Sequence, residues 1–321
     1  MSALFVMLKN VVLFVALALP GYLLVKAKVL NSQHSGVLSK LLMYVGMPFL
    51  IFSGTVNNIS FDKELIVRMI MTAAIGIAFT FAMFFLSAPI SAMEKSEKTR
   101  GMMRFCMAFS NNGFLGIPLA ASVFGADSPV MTVLVILNII TNVLMYTLGI
   151  YLVSGDKSRI SLKKAFLNPV LIAFIIGVAL NLLKVTAYVP EISTFSAHFS
   201  GLVTPLSMTI LGMKMAEIRF VSLFKSPRTY YVCSMKLLLF PCMILALLLV
   251  AKHLGANVID DSVILGFFIA FAMPTAGLAS TFADGFGGDT ENAVSMTLGT
   301  TILSILTIPL IYGVLSYLML F

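Results

Sequence analysis

The chain has no tryptophan, only three cysteines and three histidines among 321 residues. Charge is as scarce: Asp, Glu, Lys and Arg together make up 11% of the chain, where soluble domains run nearer about 25%. So few charges cannot cover a water-facing surface, and a soluble enzyme is excluded. The cysteines (Cys106, Cys233, Cys242) are odd in number, lack C-x-x-C spacing and lie in apolar runs. They read as small core residues rather than disulfides or metal ligands. The scattered histidines offer no metal site. No H-E-x-x-H, G-x-S-x-G or G-x-x-x-x-G-K occurs, which removes metalloprotease, hydrolase and P-loop chemistry. The chain reads as a non-enzyme with no cofactor.

What is present is apolar. Hydrophobic residues make up 60% and the mean hydropathy is +1.04, so the bulk of the chain belongs in a lipid bilayer. A net charge of +8, from 21 basic against 13 acidic residues, would suggest nucleic acid in a soluble protein. Here it reads as the basic bias of cytoplasmic loops, and no nucleic-acid partner is expected. The N-terminal segment has no charged region ahead of its apolar run, carries Lys9 within it and shows no small-residue cleavage pattern. It is expected to stay as a membrane helix rather than a signal peptide.

A spanning helix needs about 20 mostly apolar residues. The hydropathy pattern predicts ten, at roughly 3–25, 36–56, 66–91, 100–125, 128–154, 169–188, 197–217, 229–252, 262–286 and 290–320. Loops after odd-numbered spans hold 14 Lys and Arg, including Lys157, Arg159, Lys163 and Lys164, against 4 after even-numbered spans. That bias places both termini outside the cytoplasmic membrane.

An internal repeat organises these spans. Residues 105–127 and 267–289 align without a gap, with seven identities including Phe124/Phe286, Gly125/Gly287 and Asp127/Asp289. Spans 1–5 and 6–10 therefore read as two copies of one unit. Five is odd, so the second copy enters the membrane inverted, a recurring plan of secondary transporters.

Both copies are interrupted halfway along a span. Span 4 carries Ser110-Asn111-Asn112-Gly113 and then Pro118; span 9 carries Met273-Pro274-Thr275-Ala276-Gly277. Pro118 and Pro274 are the helix-breaking residues, since proline lacks an N–H. Irregular backbone at this depth survives only where it is buried in protein or lines a wet cavity. A broken helix exposes a new N-terminus with free N–H donors and partial positive charge, which suits an anion such as a carboxylate. Asn111, Asn112, Gly113, Pro274 and Thr275 are the candidate substrate-binding residues. Asn138 and Asn142 of span 5, with Thr141 between them, share one helical face. Their repeat mates Thr300 and Ser304 form a similar stripe in span 10, and all four join the candidate set.

Intramembrane acids are few. Asp284 is the candidate coupling carboxylate, because a charge within a span is a functional hypothesis by default; solvation at headgroup level is the alternative. Asp127 and Asp289 are expected to cap the following helices. Lys236 is expected to snorkel to the cytoplasmic surface, with attraction of an anionic substrate as the other reading; Lys9 and Lys214 are weaker candidates of the same kind.

Asn112-Gly113-Phe114-Leu115-Gly116-Ile117-Pro118-Leu119 resembles the fourth-helix motif of the auxin efflux carrier family. Ala272-Met273-Pro274-Thr275-Ala276 with Phe286-Gly287-Gly288-Asp289 resembles its ninth, and Thr307-Ile308-Pro309-Leu310 its tenth. The family includes plant PIN-type auxin carriers and bacterial carriers assigned to malonate and related acids. Two departures point to the bacterial type. The connector at 155–168 is short and basic, and Met273-Pro274-Thr275 stands where plant members place an asparagine.

The resemblance implies an all-α fold of two inverted five-helix repeats, with helices 4 and 9 broken and crossing. It implies a scaffold and homodimer domain at 1–61 and 169–220, and a mobile transport domain at 62–155 and 221–321, joined by the connector 156–168. It further implies a secondary carrier moving a small organic anion, in the efflux direction, by elevator-like alternating access. H+ or Na+ is the candidate coupling ion. A channel or uncoupled facilitator for organic anions is the alternative.

Overall fold

A computed structural model describes residues 3–58, 63–125, 128–160, 163, 167, 169–217, 226–256 and 258–319. Among these residues no strand forms; the chain is helical throughout, with a single isolated bridge between Ser110 and Thr275. The α-helices of five residues or more are α1 (Ala3–Lys26), α2 (Ser32–Leu41), α3 (Met47–Asn58), α4 (Lys63–Ile90), α5 (Glu97–Ala108), α6 (Ile117–Phe124), α7 (Pro129–Leu144), α8 (Ile150–Ser154), α9 (Pro169–Leu182), α10 (Glu191–Ser200), α11 (Val203–Glu217), α12 (Pro227–Ser234), α13 (Phe240–His253), α14 (Asp261–Ala272), α15 (Ala279–Phe286) and α16 (Thr290–Leu318).

Among the described residues, five continuous helical stretches are long and apolar enough to cross a membrane: His34–Val56, Ile66–Ile90, Pro129–Ser154, Pro227–His253 and Thr290–Leu318. Ala16–Lys26, Asn112–Phe124, Pro169–Leu182 and Asp261–Ala272 are apolar but shorter. Helix starts carry the caps expected of them. The Ser96 hydroxyl accepts from the Thr99 N–H at 3.3 Å, Asp260 from Val263 at 2.8 Å and Asp289 from Asn292 at 3.1 Å, each satisfying an otherwise free N–H. Asp127 lies outside the described residues.

Several long helices pass through one wide π turn, and proline explains three of them. The turns Leu42–Gly46, Asn112–Gly116 and Met235–Leu239 are each followed two residues on by Pro48, Pro118 or Pro241. A proline ring clashes with the carbonyl four residues back and cannot donate to it. Widening that turn relieves both faults without ending the helix. A fourth turn, Met145–Gly149, joins α7 to α8 without a proline.

The helices pack in two sets that also touch each other, α1 against α16 and α6, and α11 against α6. In one, α1 runs along α11, and α9 and α10 pack on α3. The α1–α11 approach is as close as backbone allows: a Cβ on Gly21 would meet the Thr209 carbonyl oxygen at 2.0 Å, and one on Gly212 the Ala18 oxygen at 1.8 Å. Phe49 stacks on Phe199 with centroids 4.8 Å apart. In the other group α4 packs on α5 and α7, α14 on α7 and α13, α12 on α16, and α5 on α8. The core of this second group is aromatic and methionine-rich, with Phe105, Phe109, Phe267, Phe268, Met102 and Met107 fully buried. Cys106 and Cys233 are buried as expected, whereas Cys242 is exposed on α13.

Candidate functional site

The two broken helices meet. Helix α5 ends at Ala108, and Phe109 turns extended (φ −107°, ψ 124°). Helix α14 ends at Ala272, and Met273 is likewise extended (φ −63°, ψ 148°). The freed backbone groups satisfy one another across the crossing. The Asn111 N–H donates to the Pro274 carbonyl at 2.8 Å, and the Ala276 N–H donates to the Phe109 carbonyl at 2.9 Å. This antiparallel pair is how buried, non-helical backbone avoids the cost of unmet hydrogen bonds.

Side chains lock the same point. The Thr275 hydroxyl donates to the Cys106 carbonyl at 2.9 Å, and the Thr275 N–H donates to the Thr300 hydroxyl at 3.2 Å. Lys236, from the turn after α12, donates to the Ser110 hydroxyl. It is 0% exposed, so the expected snorkelling to the surface does not occur. The reason is tertiary: the wide turn Met235–Leu239 packs on α5, α14 and α16, and the side chain meets Ser110 at the crossing. Lys214 of α11 reaches the Gly277 carbonyl at 3.5 Å.

Both helices restart beside one cavity. Asn111 caps the first restart: its side-chain oxygen accepts from the Phe114 N–H at 3.3 Å, and its carbonyl accepts from Leu115 and Gly116. The second restarts at Ala279 after Gly277 and Leu278. The cavity, of about 60 Å³, is lined by Asn111, Gly113 and Phe114 on one side and by Ala276, Gly277 and Leu278 on the other. Asn138, Thr141 and Asn142 of α7 form its polar wall; Met43, Met47, Met145 and Tyr146 form its apolar wall. That volume holds a few water molecules. Three of the four wide turns contribute to the lining, and the fourth carries Lys236. Such turns recur at functional sites because they aim side chains that a regular helix would stack.

The amides are linked and incompletely satisfied. Asn112 donates to the Thr141 hydroxyl at 3.3 Å, and Asn142 donates to the Asn138 carbonyl at 2.8 Å. The Asn138 side-chain N–H₂ and the Asn112 side-chain oxygen are buried without a partner. Leaving a buried polar group unpaired costs about 1–3 kcal/mol. A donor left free in the polar wall of this cavity is therefore available to a ligand.

The structure thus brings Asn111, Gly113, Asn138 and Asn142 to one cavity, with Asn112 bonded to its wall. Pro274 and Thr275 lie behind it, holding the crossing together. Thr300 belongs to that lock too. Ser304 lines a second, mostly apolar cavity of about 60 Å³ with Thr301, Met208, Met215 and Met273. Its hydroxyl is engaged with the Thr301 carbonyl at 2.7 Å. The first break lies at 109–111, ahead of Pro118, which the chain accommodates inside a continuing helix. Asp284 is exposed on α15 and accepts from the Thr290 hydroxyl at 2.6 Å. Ser110, Tyr146 and the methionine wall escaped residue-type reasoning. Lys236 left one signal, an ammonium in the middle of an apolar run.

A wider cavity of about 750 Å³ adjoins the first, sharing Met43 and Tyr146 and lined further by Lys163, Thr281 and Phe286. Tyr146 packs against Phe282 with centroids 5.3 Å apart at this boundary.

Broken helices crossing beside a small cavity with one polar wall, in an apolar helical body, match the class of a membrane transport protein. The family model described as "Membrane transport protein" matches residues 5–312, and the chain belongs to that family, the auxin efflux carriers. It is 28% identical over 305 residues to an uncharacterized transporter of Methanothermobacter thermautotrophicus, covering 94% of this chain and 96% of that one. It is 26% identical over 212 residues to an uncharacterized transporter of Methanocaldococcus jannaschii, covering 64% of this chain and 68% of that one.

Proposed function

We propose that this transporter is a secondary carrier of a small organic anion, a carboxylate, held between the two restarted helices. The observation that carries the reading is the pair of helix N-termini, Asn111–Phe114 and Ala276–Leu278, opening onto one cavity beside the unpaired Asn138 amide. Two positive helix ends and a free donor favour negative charge. Binding is assigned to Asn111, Asn112, Gly113, Asn138, Thr141 and Asn142, with Pro274, Thr275 and Thr300 fixing the crossing.

The chain is read as ten spans in two inverted repeats, in the cell membrane with both termini outside. Helices α1–α3 and α9–α11 serve as scaffold and dimer contact, and the remainder moves as the transport domain. The dense packing within each set of helices supports this division, with α1 against α16 and α6 as the seam between the two. On this topology the 750 Å³ cavity beside Lys163 opens to the cytoplasm, so the state described is inward-facing. The small inner cavity must widen to admit substrate, and Tyr146 and Met43, common to both cavities, stand at the passage.

The test is uptake into proteoliposomes of labelled mono- and dicarboxylates under imposed pH, Na+ and voltage gradients. Saturable flux with acceleration by substrate on the far side is expected. Non-saturating flux would identify a channel or facilitator, and no flux of any carboxylate would overturn the reading.

A further inference from the structure

Lys236 is the one charged side chain that is fully buried among the described residues. None of the ion pairs there involves it: Arg68, Arg100, Arg159, Arg228 and Lys252 take the carboxylates, all near the ends of helices. Its one hydrogen-bond partner among the described residues is the Ser110 hydroxyl. An ammonium carries three donors, and removing it from water costs several kcal/mol even after the surroundings relax. A hydroxyl does not supply the opposite charge that would offset this cost.

The position of Ser110 says where that charge can come from. Ser110 is itself a wall of the polar cavity, so the ammonium lies one side chain away from whatever the cavity holds. The same cavity receives two helix N-termini and the unpaired Asn138 amide. Two helix ends and a free donor are aimed at it, and no carboxylate lines it. Lys236 also sits in the same packed helix group as both broken helices: its wide turn packs on α5, α14 and α16.

We propose that Lys236 is the fixed counter-charge of the anion site, a positioning residue whose ammonium is held behind Ser110 against the cavity wall. The inference rests on the carboxylate reading above and deepens it. Recognition is of the negative charge, so a carboxylate is taken and its uncharged isostere refused. Because Lys236 packs on both broken helices, the charge stays with the helix ends that face the anion, while Met43, Met47 and Val170 close the cavity from the scaffold side.

The experiment measures binding by thermal stabilisation and by calorimetry on the purified protein. Acetate, benzoate, malonate and succinate are the probes, with acetamide and benzamide as uncharged controls. Wild type is expected to bind at least one carboxylate and to refuse the matching amide. Lys236→Met should bind that carboxylate about tenfold to hundredfold more weakly, the effect of one unit charge at close range behind a protein wall. Its unfolding temperature without ligand should be unchanged or higher, since replacing a buried charge by an apolar side chain is often neutral or stabilising. A merely structural lysine would give the reverse: lower unfolding temperature and unchanged affinity.

Unchanged affinity in a folded Lys236→Met overturns the inference. If that variant fails to fold, Lys236→Gln retains a donor for Ser110 without the charge, and unchanged affinity there overturns it equally. Wild type that holds benzamide as tightly as benzoate overturns it with no variant at all. Wild type that binds none of the four carboxylates overturns the functional reading and this inference with it. Carboxylate binding that is indifferent to Lys236 overturns the inference alone.

Discussion

The backbone N–H of Asn111 donates to the carbonyl oxygen of Pro274 at 2.8 Å, joining residues 163 positions apart at the centre of the helical body. With Ala276 bonded back to Phe109 at 2.9 Å, the two breaks complete each other. Pro274 matters here twice, as an acceptor and as a residue with no N–H. In Pro274→Ala the new N–H can close on the Ala270 carbonyl and extend α14 by a turn, drawing the segment away from Asn111. Carboxylate flux is expected to fall to background at matched expression. Wild-type flux in this variant would mean that the break does not depend on the proline.

Asn138 presents an unpaired amide at the cavity, and Asn112 positions the Thr141 hydroxyl beside it. One hydrogen bond to a charged group is worth about 1.5–3 kcal/mol, or roughly tenfold to a hundredfold in affinity. Asn138→Ala and Asn112→Ala should each raise the half-saturating substrate concentration by about that factor. Cys242→Ser, at an exposed position on α13, serves as the control with unchanged flux. Normal kinetics in both asparagine variants would place the anion elsewhere.

Asp284 is exposed and bonded to Thr290, away from the cavity lining. Asp284→Asn is therefore expected to leave flux, and its response to an imposed pH gradient, within about twofold of wild type, the scale of a surface change. Loss of gradient coupling in this variant would return Asp284 to the transport mechanism.

The α1–α11 seam depends on the absence of two side chains. A Cβ at Gly212 would lie 1.8 Å from the Ala18 carbonyl oxygen, and backbone cannot give way as a flexible side chain can. Gly212→Ala should cost more than about 3 kcal/mol, beyond the usual range for overpacking, and should appear as a lower unfolding temperature or loss of folded yield. Gly36→Ala, with nothing within 4 Å, should be neutral or stabilise by up to about 1 kcal/mol. Equal stability of the two variants would contradict the close approach.

Asp289 ties the start of α16 to the start of α5, accepting from the Thr99 hydroxyl at 2.6 Å and from the N–H and side-chain amide of Asn292. Burial disfavours its ionised form, but these hydrogen bonds and the Arg228 charge outweigh that and hold its carboxyl below the usual range. Its folded pKa is thus lower than its unfolded value of about 3.9. The stabilisation is complete above the unfolded value and is lost as pH falls through the lower, folded one. Asp289→Asn should lower the unfolding temperature at neutral pH and flatten its decline in acid. An unchanged acid profile would remove Asp289 from the linkage.

The sequence by itself determined the membrane class, the rough positions of the helices and the interruption at Pro274, while the first break falls at 109–111, ahead of Pro118. Each depends on local chemistry: apolar runs of bilayer length, a proline without an N–H, an aspartate able to cap. The repeated F-G-x-D ends and the Asn138–Asn142 stripe were legible for the same reason, since spacing along a helix fixes which side chains share a face.

Only the tertiary structure decided which of those residues share a cavity. Repeat symmetry treats Asn138 and Thr300, or Asn142 and Ser304, as equivalents. The crossing separates them: Asn138 and Asn142 face the polar cavity, Thr300 joins the lock with Thr275, and Ser304 faces methionines. The wide turns had a sequence cause in Pro48, Pro118 and Pro241, yet where each turn aims its side chains depends on the helices packed around it. Lys236 shows this most directly. An ammonium in an apolar run can reach the surface or be buried, and the choice depends on whether a partner lies within reach. That partner, Ser110, stands 126 residues away along the chain and meets Lys236 only because two broken helices cross.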